Sequence, residues 1–212
     1  MAAITFPPNH LADENGLLAL GGNLEAETLL IAYKQGIFPW PFDEAHLTWF
    51  SPPKRCIIYT NKIHFSKSLL KKTSAKALLF FKNKDFAAVV GHCATQGARG
   101  QVSGTWITQD IQQAYIELHQ LGFCDSYECY QDNELVGGLY GVRIGSYFSG
   151  ESMFHTKPNG SKLALWFLAQ CLRKDKIEWI DCQVINPFLE KLGAVEIPRE
   201  EYLGMLRKVI KY

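Results

Sequence analysis

Apolar residues recur at helical spacing in several stretches of the chain. In the first stretch, residues 24–35, the apolar side chains fall on one side of a helix. Asn23 stands where a cap for the first turn is needed, and Gly36 stands where a left-handed residue ends a helix. Thr108 is placed in the same way to cap a helix over residues 108–121. Further helices are predicted over residues 66–72, 85–93, 161–172 and 187–192.

Alternating polar and apolar residues predict a centre that is rich in β-strands. Turn-forming pairs at 132–133 and 145–146 separate three of these segments, which is the pattern of an antiparallel meander. A meander followed by a helix and one more buried strand is typical of an α+β sheet domain. The predicted strands cover residues 56–59, 77–81, 126–131, 135–144, 147–148 and 179–184.

Three glycines, Gly137, Gly138 and Gly141, lie inside one predicted strand. Glycine weakens the interior of a strand, so its presence there indicates a bulge or a close approach of another backbone or a ligand. We therefore expect the ladder to be irregular beside this strand.

Proline and aromatic residues predict a division of the chain near residue 53. Pro39 and Pro41 exclude regular helix after the first helical stretch. Residues 49–53, with the sequence WFSPP, are interpreted as a linker. We therefore expect a small N-terminal domain over residues 1–53 and a larger α+β domain over residues 54–212, and a chain of 212 residues can accommodate both.

Several classes of protein are disfavoured by what the sequence lacks. No apolar run reaches the roughly 18 residues of a membrane span, and the first residues do not resemble a signal peptide, so a cytoplasmic protein with no membrane partner is expected. The six cysteines form no CxxC pair and the six histidines are scattered, so free thiols and no metal are expected. There is no P-loop and no GxGxxG motif, and only the Gly-rich stretch 97–104 comes near a coenzyme A loop. No cofactor is therefore expected.

Positive charge is concentrated in residues 54–84, which carry nine Lys or Arg residues and no acid. Such a run is either a solvated basic helix with its flanks or a surface that faces a polyanion such as nucleic acid. The charge pattern alone leaves both interpretations open.

Two short segments carry candidate chemistry. Glu151 lies among Gly, Ser and Met residues, where a carboxylate is either exposed or holds a cation, most naturally an ammonium. Strand alternation places Asp181 and Gln183 on one face, either as a buried polar network or as a pair that presents a carbonyl to a donor. A rival interpretation makes Cys182 a nucleophile, with His155 meeting it in space.

Six segments of the chain carry a family resemblance when they are taken together. In order they are YKQGIFPW at 33–40, WFSPPKR at 49–55, GTWIT at 104–108, LVGGLYG at 135–141, GESMF at 150–154 and IDCQ at 180–183. They resemble the leucyl/phenylalanyl-tRNA–protein transferases, bacterial enzymes of the N-degron pathway, over about residues 15–202.

The resemblance implies both a fold and an activity. The expected fold is α+β: a small N-terminal domain plus an acetyltransferase-like (GNAT-related) C-terminal domain with a mixed, largely antiparallel sheet. The expected reaction moves Leu or Phe, with Met left open as a third donor, from aminoacyl-tRNA to the N-terminal amine of proteins that begin with Arg or Lys. The product is marked for degradation. The resemblance also implies a monomer that uses no cofactor and no metal.

The resemblance implies a role for each of the candidate residues. Gln183 is expected to accept a hydrogen bond from the attacking amine, Asp181 to orient Gln183, and Glu151 to pair with the α-ammonium of the donor. The residues expected to bind the apolar side chain are Leu139, Phe148, Met153, Leu165, Leu168 and Ile180. Those expected to stack on the terminal adenosine are Trp40 and Trp106, helped by Tyr33 and Tyr115. Those expected to contact the tRNA are Lys54, Arg55, Lys62, Lys67, Lys71 and Lys72.

The sequence departs from the family pattern at two positions and has a short end. Asp125 and Phe188 stand where many members carry histidine, and the chain stops soon after Tyr202 without a longer basic tail. Any role of those histidines therefore does not transfer to this chain.

Glu128 is the candidate partner for the charged side chain of the acceptor.

Three alternative functions remain open at the level of sequence. A small-molecule N-acetyltransferase suits the predicted sheet, but the missing pyrophosphate loop and the basic run argue against it. A non-catalytic RNA-binding module suits the basic run and the tryptophans, but it leaves Glu151, Asp181 and Gln183 without a role. A sister enzyme that accepts acidic N-termini fits the quoted motifs less well.

Overall fold

The computed structural model describes residues 5–41, 46–73, 77–97 and 106–210. Its helices are α1 (Ala26–Lys34), α2 (Lys67–Lys72), α3 (Phe86–Gly97), α4 (Gln109–Gln120), α5 (Gly160–Lys174), α6 (Pro187–Lys191) and α7 (Arg199–Val209). Its strands are β1 (Leu17–Leu20), β2 (Phe38–Pro39), β3 (Thr48–Phe50), β4 (Lys54–Tyr59), β5 (Leu78–Lys82), β6 (Cys124–Gln131), β7 (Glu134–Ile144), β8 (Tyr147–His155), β9 (Trp179–Asp181) and β10 (Val195–Pro198).

The strands form two sheets. The smaller sheet has the order β1-β3-β2 and the larger one has the order β10-β4-β9-β8-β7-β6-β5. Neighbouring strands are antiparallel apart from β8 and β9, which are parallel and pair at Ser149 and Asp181. Beyond this point β8 continues while β9 ends, so the sheet opens between them.

Apolar side chains cover both faces of the larger sheet. On one face, Ile57 and Tyr140 join a cluster that includes side chains of α1, α3 and α4. On the other face, Ile58 and Leu139 join a cluster built on α5. Successive residues of a strand point to opposite faces, which is why these neighbours in sequence lie in different clusters.

The predicted meander and most of the predicted helices are confirmed. The Thr108 side chain accepts a hydrogen bond from the Ile111 backbone and caps α4, and Gly36 has a φ of 73° just after α1. The buried strand predicted over 179–184 is shorter than expected, because it ends at Asp181. The glycine-rich stretch predicted as a loop over 97–104 lies, from residue 98 onward, outside the described residues.

The interpretation of residues 49–53 as a linker is wrong. Residues 48–50 form the central strand of the smaller sheet, and Trp49 and Phe50 are buried in the core. Aromatic residues favour strands, where their rings can be buried. The prolines that follow are typical of connections rather than strands, so the sequence suggested a linker. The division of the chain at residue 53 stays a prediction.

The expected irregularity beside the glycine-rich strand is a bulge at Glu151. In the pairing of β7 with β8, Tyr140 faces Ser152 and Gly141 faces Gly150, which leaves Glu151 as the extra residue. A Cβ on Gly141 would lie 2.2 Å from the Ser149 carbonyl oxygen, so a side chain has no room there. Close approach also explains Gly137, where a Cβ would lie 2.1 Å from the Gly160 backbone at the start of α5.

Candidate active site

A cavity of about 480 Å³ lies where β8 and β9 separate. One wall is apolar and the other carries the bulge residue Glu151 together with Gln183, which follows β9. The apolar lining includes Leu139, Met153, Leu165, Leu168 and Ile180, and the indole rings of Trp40 and Trp106 also contribute. The structure therefore brings together most of the side chains that the sequence suggested for an apolar acyl group and a base.

The bulge directs the Glu151 carboxylate into a set of hydrogen-bond donors. Ser149 Oγ and Gln183 Nε2 donate to its Oε1 at 2.8 and 3.2 Å, and Tyr115 donates to its Oε2 at 3.3 Å. Burial raises the pKa of Glu151 to about 7, although hydrogen bonds from Ser149, Tyr33 and Tyr115 act in the opposite direction. The carboxylate can therefore change its charge near neutral pH, and a bound cation would favour its ionised form.

The predicted stacking role of Tyr33 and Tyr115 is wrong. Both rings are fully buried, and their hydroxyl groups lie 2.5 Å apart. Burial and the charge of Glu151 raise the pKa of both phenols, so both stay protonated and available as donors. Instead of contacting adenosine they support Glu151 from behind.

In the side-chain amide of Gln183, the nitrogen is held by hydrogen bonds and the oxygen is not. Its Nε2 donates to Ser149 Oγ at 2.8 Å and to Glu151, which orients the amide. No described residue donates to its Oε1. The residue has a φ of 55°, and its backbone N–H donates to Asp181 Oδ1 at 3.0 Å. Gln183 thus presents a carbonyl oxygen beside the cavity.

Asp181 is fully buried and accepts a hydrogen bond from the Gln183 backbone N–H rather than from its side-chain amide, so its orienting role stays a prediction. Both of its oxygens accept from Arg55 at 2.7 Å, and its Oδ2 also accepts from Tyr147 at 2.6 Å and Tyr202 at 2.8 Å. Burial alone would raise the pKa of Asp181, but the charge and hydrogen bonds of Arg55 outweigh it and keep the pKa below its ordinary value. Asp181 therefore acts on Gln183 through the backbone.

The prediction that Arg55 contacts tRNA is also wrong. Its side chain is 1% exposed, and its guanidinium lies between the rings of Phe38 and Tyr202 at 4.6 and 4.5 Å. It also donates to the Gly36 carbonyl at the end of α1. The other five basic residues of that prediction, Lys54, Lys62, Lys67, Lys71 and Lys72, are exposed.

Two further expectations fail for reasons of packing. Phe148 does not line the cavity, because it is fully buried and packs edge-on against Tyr127. Glu128 is fully buried, and it accepts hydrogen bonds from two backbone amides before α3 and from Ser126 and Tyr130. It has no capacity left for the charged side chain of an acceptor.

The two departures from the family pattern have different surroundings. Asp125 pairs with Lys82 at 2.8 Å and accepts from Asn83, away from the cavity lining. Phe188 lines the cavity.

Cys182 also lines the cavity, but a hydrogen bond with Cys56 and burial raise the pKa of its thiol well above its ordinary value, which does not favour a nucleophile.

Sequence reasoning missed the residues that support the site. Ser149 connects Glu151 with Gln183, and Tyr147 and Tyr202 complete the shell of Asp181. Ser149 stands two residues before Glu151, which is the one signal that could have found it.

In the described part of the chain, no group of three or more His, Cys, Asp or Glu residues could hold a metal ion. Within the same residues, no helix has the length and apolar character needed to cross a membrane.

The fold has a counterpart among solved structures. The fold is α+β with a mixed, largely antiparallel sheet, as expected. It resembles the crystal structure of FemX with a TM-score of 0.51 and 8% identity, over 81% of this chain and 66% of that one. This likeness concerns the fold alone.

Sequence comparison identifies the family. The family model described as leucyl/phenylalanyl-tRNA protein transferase matches residues 57–207, and the model of its N-terminal domain matches residues 22–53. Relatives of that name from Pseudoalteromonas atlantica and Flavobacterium johnsoniae are 47% and 44% identical, over 97% and 95% of this chain and 88% and 95% of theirs. The chain belongs to the leucyl/phenylalanyl-tRNA–protein transferase family and is an aminoacyltransferase that acts from tRNA to protein.

Proposed function

We propose that this enzyme transfers Leu or Phe from aminoacyl-tRNA to the N-terminal α-amine of proteins that begin with Arg or Lys, and so marks them for degradation. The observation that carries the proposal is the cavity, which joins an apolar wall to the carboxylate of Glu151 and the free carbonyl oxygen of Gln183. The preference for basic acceptors rests on the resemblance of the six sequence segments. The resemblance also supports a monomer in the cytoplasm.

The donor fits the cavity in one orientation. Its apolar side chain contacts Leu139, Met153 and their neighbours, while its α-ammonium pairs with Glu151. A formylated or acetylated donor has no charge on that nitrogen, so binding it would leave the carboxylate without a cation. Trp40 and Trp106 line the cavity and would stack on the terminal adenosine. The exposed side chains of Lys54, Lys62, Lys67, Lys71 and Lys72 would contact phosphates.

The reaction is the aminolysis of an ester. The neutral acceptor amine attacks the ester carbonyl and the new C–N bond forms. The ester C–O bond breaks, and the proton lost by the nitrogen ends on the ribose oxygen, which leaves as a hydroxyl. Gln183 Oε1 accepts a hydrogen bond from the attacking amine and so orients its lone pair. An α-amine has an ordinary pKa of about 7.7–8.0, so a part of it is neutral at pH 7 and positioning can supply much of the rate.

A transfer assay tests the proposal. Radiolabelled Leu-tRNA is mixed with the enzyme and with two peptides that differ only in an N-terminal Arg or Asp. We expect label on the Arg peptide, and we expect Gln183→Ala to lower kcat about 100-fold, since loss of one hydrogen-bonding group aimed at the transition state costs about 10²–10³ in kcat. Gln113→Ala, which removes an exposed amide from α4, serves as the matched control and should keep full activity.

The other outcomes are equally informative. Label on the Asp peptide would overturn the acceptor preference and keep the chemistry. Full activity of Gln183→Ala would remove Gln183 from the reaction.

A further inference from the structure

Cys56 and Cys182 face each other across β4 and the end of β9. The Cys182 backbone N–H donates to the Cys56 carbonyl, and the Cys56 N–H donates to the Gln183 carbonyl, both at 2.9 Å. Both cysteines belong to the apolar cluster that contains Ile58 and Ile180, so both side chains lie on the same face of the sheet. The two thiols are therefore cross-strand neighbours on the cavity side.

The separation of the two residues suits a disulfide. Opposed residues of antiparallel strands have Cα atoms about 4.5–5.5 Å apart, which lies within the range of about 4.4–6.8 Å found for disulfides. Both side chains also pack into the same apolar cluster on that face of the sheet, which makes the two thiols neighbours. Bond formation needs rotation of the two side chains and leaves the pairing of β4 with β9 in place, so any backbone adjustment falls on residues 182–183, which follow β9.

The cavity gives a small oxidant access to one of the two thiols. Cys182 lines the cavity and is half-buried, whereas Cys56 has no exposed surface. An oxidant that enters the cavity therefore reaches Cys182 before Cys56, and the raised pKa of the Cys182 thiol makes this first step slow. Cys56 lies behind it as the resolving thiol. Cys93, Cys124 and Cys129 are buried and do not line the cavity.

We propose that Cys56 and Cys182 form an oxidation site, in which a two-electron oxidant joins them in a disulfide that suspends transfer. With a peroxide, Cys182 is first converted to the sulfenic acid, and one water is released. The Cys56 sulfur then attacks the Cys182 sulfur, the S–S bond forms, and a second water leaves. A thiol reductant reverses the modification.

The position of Cys182 explains why the disulfide should affect transfer, an effect that rests on the proposed function. Cys182 lies between Asp181, whose carboxylate fixes the next backbone amide, and Gln183, whose left-handed backbone directs its side chain to Glu151. Drawing the Cys182 side chain towards β4 rotates this segment and displaces the Gln183 carbonyl oxygen from the attacking amine. It also changes the wall of the cavity.

The test separates the cross-link from its effect. The reduced protein is treated for hours with diamide, a diazene that takes up two electrons and two protons as the disulfide forms. Free thiols are then alkylated, and peptides are mapped by mass spectrometry without reduction. We expect a linked pair of peptides containing Cys56 and Cys182, a fall in transfer of at least about fivefold, and recovery with dithiothreitol.

Matched variants identify the thiols responsible. Cys56→Ala removes the resolving thiol outside the cavity lining, with Cys56→Val as a second variant that fills the same space; both should keep their activity after diamide. Cys171→Ser, which removes another half-buried thiol, should be inactivated like the wild type. The proposal is wrong if the linked peptides do not form, or if the Cys56 variants lose activity as the wild type does. A cross-link in a protein that shows no transfer when reduced would support the oxidation site and contradict the proposed function.

Discussion

Glu151, the residue proposed to bind the ammonium of the donor, combines burial with several hydrogen bonds. Its carboxylate accepts from Ser149, Gln183, Tyr115 and Tyr33, yet burial raises its pKa to about 7, from an ordinary value of 4.5. A buried carboxylate lowers the free energy of unfolding of the protein without substrate, and a bound cation restores it. This makes Glu151 suited to an ammonium that binds and leaves in every catalytic cycle.

The raised pKa of Glu151 predicts a specific dependence of stability on pH. Between its ordinary value and about 7, the folded protein binds the proton more tightly than the unfolded chain does, so the free energy of unfolding falls as pH rises through this range. Glu151→Gln does not titrate. We therefore expect the stability of the wild type to fall by about 2–3 kcal/mol relative to this variant between about pH 5 and about pH 8.

Urea unfolding at several pH values measures this difference. Glu196→Gln, which neutralises an exposed carboxylate on β10, is the control, and its stability should follow that of the wild type. Parallel curves for the wild type and Glu151→Gln would show that Glu151 does not have a raised pKa.

At the scale of elements, the bulge between β7 and β8 sets the direction of the Glu151 carboxylate. It is the extra residue at Glu151 that turns the side chain towards Ser149 and Gln183, and the missing side chain of Gly141 leaves room for this. Bulges re-aim side chains in this way at many functional sites. The three glycines indicated an irregular ladder, but they could not indicate which residue of the partner strand would be extra.

Gly141→Ala should therefore damage both the fold and the site. The new Cβ would lie 2.2 Å from the Ser149 carbonyl oxygen, so the two strands must move apart. We expect a loss of about 1–3 kcal/mol in the free energy of unfolding and a fall in kcat at a temperature where the variant is folded. The control is Gly91→Ala in α3, where a Cβ meets nothing within 4 Å. It should be neutral or stabilising by up to about 1 kcal/mol, since it restricts the unfolded chain. Equal stability of the two variants would contradict the steric argument.

Local sequence patterns predicted the helices and strands well, but they predicted contacts between residues far apart in the sequence poorly. Periodicity, caps and turns located most helices and the meander, because these signals act within a few residues. The pairing of Arg55 with Asp181 joins residues 126 positions apart, and no local signal distinguishes that arginine from its exposed neighbour Lys54. For the same reason the sequence could not show that Tyr33 and Tyr115, which were expected to help in stacking on adenosine, lie behind Glu151 instead.

At the scale of the whole molecule, the buried arginine connects the smaller sheet with the active site. Arg55 contacts the Gly36 carbonyl and Phe38 of the N-terminal part, Tyr202 of α7, and Asp181 below Gln183. Tyr33 of α1 extends the same connection to Glu151. Residues 1–53, which the sequence set apart as a small unit, thus contribute side chains that support the catalytic wall.

The exposed lysines of residues 54–72 predict how the molecule should respond to salt and to charge reversal. Lys67, Lys71 and Lys72 lie on α2, and all three are exposed. Replacing them together by Glu should weaken binding of aminoacyl-tRNA by about 10–100-fold at low salt and flatten its salt dependence, because each lost phosphate contact removes about 0.7–0.9 from the log–log slope. Lys174, Lys191 and Lys208 are exposed elsewhere, so their triple replacement by Glu changes the net charge equally and should leave binding nearly unchanged. Transfer from a short aminoacyl-adenosine donor, which has no acceptor stem, should be unaffected in both variants, because the cavity is intact. If both triple variants weaken tRNA binding equally, general charge rather than the α2 surface governs the encounter. If the short donor is also transferred poorly by the α2 variant, the substitutions have damaged the site itself.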